Sequence, residues 1–167
     1  GFCLVGSEMC IRDRYITNSV QEEVGLRGAE MMVQNIKPDV AIVTDVCHCT
    51  QTPMINKIEQ GDFHAGKGPV LTTGPAVQNN LLKLIVDTAN KKKIPFQRAA
   101  ASRATGTDTD AFAYATGGVA SALISLPLRY MHTTVESVHK DDVENVIKLI
   151  YESLQKIKNN HDFRYLK

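Results

Sequence analysis

The run DVAIVTDV, residues 39–46, constrains the fold more than any other part of this 167-residue chain. It follows Pro38 and is almost continuously β-branched, which predicts a strand covered on both faces. Such a strand needs helices above and below its sheet. Three further segments read as strands bounded by Gly or Pro: GPVLTTG (68–74), PFQRAAA (95–101) and ASALISLPLRY (120–130). Helical periods lie between them. One runs from Leu26 to Asn35. A second starts at Pro75, suited to a first helical position, and repeats through Val77, Leu81, Leu84, Ile85 and Thr88. A third is expected over Thr109–Thr116. The last carries Val143, Val146, Ile147, Ile150, Leu154 and Ile157 on one stripe, with Asp141 and Glu144 at capping-box spacing. Alternating strands and helices predict an α/β domain: a three-layer α/β/α sandwich around a mixed, largely parallel sheet. The segment Cys49–Gly68 shows no period and reads as a long functional loop.

Composition narrows the partners. A net charge of +1 gives no basis for binding nucleic acid or an anionic membrane. No apolar run approaches the ~18–20 residues that would span a bilayer. Cys47 and Cys49 stand too close for an ordinary disulfide, so a reducing, cytoplasmic setting is expected. The segment GSEMCIRDR (6–14) resembles a translated sequencing-adapter read-through. Residues 1–14 are therefore expected to be non-native or disordered, and residues 15–167 to form the domain.

Ligands of open α/β sheets bind beyond the carboxyl ends of the strands. Asp45 closes the most apolar strand, His132 follows LPLRYM, and Glu22 and Glu23 stand where a short strand over Ile16–Val20 gives way to a helix. Carboxylates and imidazole without thiolates suit a divalent ion such as Zn, Co or Mn. Successive side chains on extended backbone diverge, so Glu22 and Glu23 would not bind one ion as equals. One can ligate while the other takes the proton of an activated water. A pair of acids before a helix also suits the helix dipole, so the residues alone leave both readings open. Cys47, His48 and Cys49 flank Asp45 but lack a second cysteine pair, and read as a partly buried neighbour of the site. His64, His139 and His161 read as surface histidines. Asp108 and Asp110 also suit a helix start, which disfavours acid–base work on sugars.

The segments SVQEEVGLRGA (19–29), PDVAIVTDV (38–46), GKGPV (66–70), IPFQ (94–97), GTDTDA (106–111) and LPLRYMHTTVE (126–136) occur in an order that resembles the glutamyl/deblocking, or tetrahedral, aminopeptidases. These are metallopeptidases once labelled cellulase-like. The resemblance implies hydrolysis of the N-terminal peptide bond of peptide substrates by a water activated at two divalent metal ions (Zn, Co or Mn). It implies Glu22 as general base, Glu23 as the ligand beside it, Asp45 as ligand of the partner ion, and His132 as sharing the ion of Glu23. Thr107 and Asp108 would line the substrate side, while Arg129 and Tyr130 would fix the strand that presents His132. Homo-oligomers are implied for the full-length family member. The family's upstream metal-binding His, its bridging Asp and its inserted dimerisation domain have no counterpart here. The chain is thus expected to be the C-terminal portion of a catalytic domain, with impaired metal binding and little activity alone. A related dinuclear carboxypeptidase or amidohydrolase, and a non-catalytic remnant of the fold, are the alternatives.

Overall fold

The computed structural model describes residues 2–3, 13–159 and 161–165. The expectation for residues 1–14 falls mostly outside them. Within them, β1 (Phe2–Cys3) pairs antiparallel with β2 (Tyr15–Ile16) as a separate two-stranded ribbon. The main sheet has the order β3 (Val40–His48), β6 (Ala120–Arg129), β4 (Val70–Thr73), β5 (Gln97–Ala100), and β7 (Ser137–Val138) joins the end of β6. Two pairings are parallel, β3 with β6 and β4 with β5. The β4–β6 and β6–β7 pairings are antiparallel. This is the mixed, largely parallel sheet expected of an α/β domain.

Burial within the sheet refines one expectation. β3 stands at an edge of this sheet, and its side chains reach both clusters, Val40 and Ile42 on one and Ala41 on the other, though only Ala41 is buried and Thr44 is exposed. The more deeply covered strand is β6, buried without a break from Ser121 to Ser125. β6 has β3 along one side and β4 and β7 along the other, a position that composition alone cannot distinguish from an edge.

One face of the sheet carries α3 (Asn79–Lys92) and α5 (Lys140–Leu154). Their apolar sides meet β4 and β6 in a core where Leu71, Leu81, Ile85, Ile124 and Leu149 are fully buried. Each such side chain stabilises the fold by about 1.5–3 kcal/mol. α1 (Arg27–Ile36) and α4 (Asp108–Ala113) form a smaller cluster in which Val33, Ala41 and Val119 pack with Phe112 and Ala115.

Helix starts differ from the sequence expectations for local reasons. α3 begins at Asn79, because the Gln78 amide donates to Ser121 O at 2.8 Å and so fastens the chain to β6 first. The Gln78 side chain then caps the helix by accepting from Asn80 N and Leu81 N. Pro75 lies in the preceding turn. At α5, His139 is the cap, its ring accepting from Asp141 N at 3.3 Å, and Glu144 pairs with Lys140 rather than closing a capping box. The stripe is also rotated, with Asp142, Val146, Leu149 and Ser153 buried and Ile147 exposed. α4 is shorter than expected, and the long loop contains a short helix, α2 (Lys57–Gln60), which its sequence did not announce.

Candidate active site

The expected strand over residues 16–20 stops at Ile16, and the chain turns through residues 21–26 before α1. Glu22 O accepts from Gly25 N and Leu26 N, and Val20 O accepts from Gly28 N at 3.0 Å. Gly28 has no substitute here, since a Cβ would collide with the backbone of Val20. Helix α1 thereby presses directly on the segment that bears the double glutamate. Glu22 and Glu23 thus stand in a turn, and not on the extended backbone that the sequence suggested.

His132 lies in the turn between β6 and β7, at φ +60°, a left-handed conformation uncommon outside Gly, Asn, Asp and His. Its amide donates to Glu136 Oε1 at 2.5 Å, and Thr133 is tied to Tyr130 O through both amide and hydroxyl. Arg129 stacks over the Tyr130 ring at 5.1 Å beneath this turn. The hairpin aims His132 at the other turn. His132 Nε2 stands 3.0 Å from Glu23 Oε1, joining residues 109 positions apart.

Asp45 does not close its strand. It lies within β3, opposite Ser125, and β3 continues to His48. Its Oδ1 accepts from Val46 N at 2.6 Å. The Glu22 carboxyl is raised above its ordinary value of 4.5, first by desolvation and then by Asp45, Glu23 and Asp108, with His132 opposing. The Asp45 carboxyl is raised above 3.8, again first by desolvation, then by Asp108 and Glu23, against the Val46 bond and His132. Glu22, Glu23, Asp45, Asp108 and His132 thus share one electrostatic neighbourhood.

This crowding has a measurable sign. A carboxyl raised on folding binds its proton more readily in the native chain than in the unfolded one. Its stabilising contribution is complete below the ordinary value and is lost as pH rises through the raised one. In chelator, Asp45→Asn and Glu22→Gln are each expected to be more stable than the parent at pH 7, Glu22→Gln by the smaller margin because water screens that carboxyl. The gain should vanish near ~pH 4. Thermal melts across that range would refute this if either variant melts below the parent at neutral pH.

The remaining candidates separate. Thr107 caps α4, its hydroxyl occupied by Thr105, Thr109 and the Thr109 amide. Asp108 is buried and accepts from Ser19 Oγ. Burial pushes the Cys47 thiol up to about 12, which keeps it a neutral packing group, and the buried Cys49 Sγ accepts from Ala65 N. His64 pairs with Asp62 at 3.0 Å. Sequence reading missed Ser19 and Asp142. Neither sits in a pattern that announces chemistry, and only the fold brings each to its partner.

Two ligands bound at about 2.0–2.1 Å on one ion stand roughly 2.8–3.4 Å apart, from neighbouring octahedral to tetrahedral positions. The Glu23–His132 separation and the oxygen-plus-imidazole chemistry fit such a pair. Among the described residues, no three His, Cys, Asp or Glu groups are arranged to hold one ion. The donors present fit part of a site.

A family model described as M42 glutamyl aminopeptidase matches residues 5–149. The chain belongs to the M42 glutamyl aminopeptidase family. The lysyl aminopeptidase of Pyrococcus furiosus is 41% identical over 146 residues, covering 87% of this chain and 41% of that protein. Among solved structures, the TET aminopeptidase of Thaumarchaeota archaeon SCGC AB-539-E09 superposes with TM-score 0.78 at 33% identity, over 84% of this chain and 40% of that one. The Pyrococcus horikoshii TET1 peptidase, which can assemble into a tetrahedron or a large octahedral shell, matches with TM-score 0.58 at 28% identity, over 81% and 38%. The chain spans about two fifths of the length of these M42 relatives. The family expected from motif order is the family found.

Proposed function

We propose that residues 15–167 form the part of a cytoplasmic metallo-aminopeptidase catalytic domain that supplies the general base and a share of the ion ligands. The observation that carries this reading is the 3.0 Å approach of His132 Nε2 to Glu23 Oε1, beside Glu22 with its raised carboxyl. Glu23 and His132 would hold one divalent ion (Zn, Co or Mn), and Asp45 would serve a second. When bound, such ions supply Lewis-acid polarisation and acidify a water molecule.

The chain's own residues do the rest. Glu22 takes a proton from the attacking water and returns it to the leaving amine nitrogen, a role its raised carboxyl suits. Thr107 caps the turn that carries Asp108, which lines the substrate side. Residues outside this chain complete the ligand sets. The full-length protein forms homo-oligomers, as TET1 can, and acts on peptides.

Cobalt titration followed by its visible spectrum tests the assignment. The parent chain should take up cobalt weakly, Glu23→Ala and His132→Ala at least about tenfold more weakly. Unchanged uptake in both variants would sink it. The isolated chain should release little or no aminoacyl product from a peptide amide, and brisk metal-dependent release would show that its own donors suffice.

A further inference from the structure

An open cavity of about 410 Å³ lies between α3 and the turn that follows α5, and none of its lining residues belongs to the candidate active site. Asn80, Lys83, Asp87 and Lys91 recur at three- and four-residue steps and so share one face of α3. Lys92 joins them at the helix end, and Lys156 enters from the turn after α5. Four ammonium groups thus line one concavity. Two already have acidic partners: Lys83 pairs with Asp87 at 2.5 Å, and Lys92 with Glu152 at 2.8 Å. Lys91 and Lys156 have no acidic partner among the described residues. The negative pole of α3 accounts for lysines at its last turn. It does not account for Lys83, more than two turns earlier, or for Lys156, which another element supplies. The Lys156 backbone is also fixed, since its amide donates to Ser153 O at 2.9 Å and the next residue, Ile157, packs against the core.

We propose that this cavity binds a small phosphomonoester, with its phosphate held between Lys91 and Lys156. Charge decides the class. Two ammonium groups without partners match a phosphate, which carries about −1.5 to −2 at pH 7, better than a single carboxylate. A lysine ammonium is a point charge with three rotatable donors, so two of them can close on a phosphate without a fixed fork. Thr88 does not compete as a donor, because its hydroxyl is spent on Leu84 O at 2.7 Å. Size decides against the bare ion. Phosphate fills a small part of such a cavity, and sites of ~300–1,000 Å³ take organic molecules. Leu84 and the methylene stems of the lysines offer the carbon portion an apolar wall. At the other end, Asn80 donates its side-chain amide to Phe163 O, which leaves Asn80 Oδ1 to accept from a ligand hydroxyl. The lining includes no aromatic side chain, so a nucleotide base would have nothing to stack on.

The test is NMR titration of the 167-residue chain with glucose 6-phosphate, inorganic phosphate and hexaglutamate at one ionic strength. Glucose 6-phosphate should give saturable amide shifts confined to residues 80–92 and 153–158, and should bind more tightly than inorganic phosphate. Lys91→Gln and Lys156→Gln should each weaken it by about tenfold, the usual loss with one charge-assisted bond. Both side chains are exposed, so the variants keep the fold, which thermal melts check. Lys158→Gln, at a lysine outside the cavity, should weaken it by less than about twofold, because the charge it removes acts only through screened solvent. Binding should also fade as pH falls through ~6, where the phosphate becomes a monoanion while lysine keeps its charge. Lack of saturation, an equal loss in Lys158→Gln, or inorganic phosphate binding as tightly as the ester overturns the proposal. Tighter binding of hexaglutamate also overturns it, by making the cavity a docking surface for acidic chain segments. The peptidase reading stands or falls separately, on cobalt uptake by the Glu23 and His132 variants.

Discussion

Replacing Glu22 by Gln in the complete peptidase is expected to lower kcat by about 10²–10⁴-fold, the usual worth of a positioned general base. KM and metal content should change little. Gln keeps the shape of the side chain and its place in the turn, but it cannot take up the proton that the attacking water must lose. In the proposed assignment the ion ligand is the neighbouring residue, since it is Glu23 that stands 3.0 Å from His132. Glu23→Gln should therefore fail differently, through weakened metal binding, with activity partly restored by excess zinc or cobalt. Steady-state kinetics with and without added metal separate the two. Rescue of Glu22→Gln by metal would exchange the roles of the two acids. The same variant should gain stability at neutral pH, because it removes a desolvated carboxyl from among Asp45, Glu23 and Asp108. A residue whose removal stabilises the chain while abolishing turnover is held there for chemistry rather than for folding.

The layers of the fold were legible because periodicity is local. β3, β4, β5, β6, α1 and α3 all lie within a few residues of their sequence expectations. What could not be read was anything set by neighbours in space. The apolar run of β3 belongs to an edge strand, and its acid stands inside the strand rather than at the end. The start of α3 is fixed by a bond from Gln78 to Ser121, more than forty positions away. At the site, the motif order singled out Glu22, Glu23, Asp45, Asp108 and His132, and the structure places them in one neighbourhood. Thr107 sits in the same motif but spends its hydroxyl on the helix cap. Ser19 was invisible, because an isolated serine before a turn has no signature until its partner is known. Asp141 drew attention through its spacing, while the acid that matters to the fold is the next residue.

That acid, Asp142, carries the largest expected effect on stability. It is fully buried on α5, and its two oxygens accept from Gly66 N and Gly68 N, both at 2.7 Å. Gly68 cannot move aside to find another partner. It sits at φ +90°, with no room for a Cβ against the backbone of Pro95. Asp142→Ala leaves a buried amide at Gly68 without an acceptor and an exposed one at Gly66 that water can satisfy. The expected cost is roughly 2–4 kcal/mol, a large part of the ~5–15 kcal/mol that holds a typical domain together. Asp142→Asn should lose nearly as much, because its amide group turns an N–H against one of the two glycine N–H donors. Asp141→Ala, exposed one position earlier, should stay within about 0.5 kcal/mol. Urea unfolding monitored by circular dichroism ranks the three. The loss should also have a location. The returning arm of the loop is otherwise tied by Gln97 to His64 and Gly68, by Thr50 to Phe63, and by Cys49 to Ala65. Amide exchange in Asp142→Ala should therefore quicken first at residues 64–68, while β6 stays protected. If the variant unfolds with the parent and exchange there is unchanged, the bonds from Gln97, Thr50 and Cys49 hold the loop by themselves, and the buried carboxyl on α5 loses its structural role.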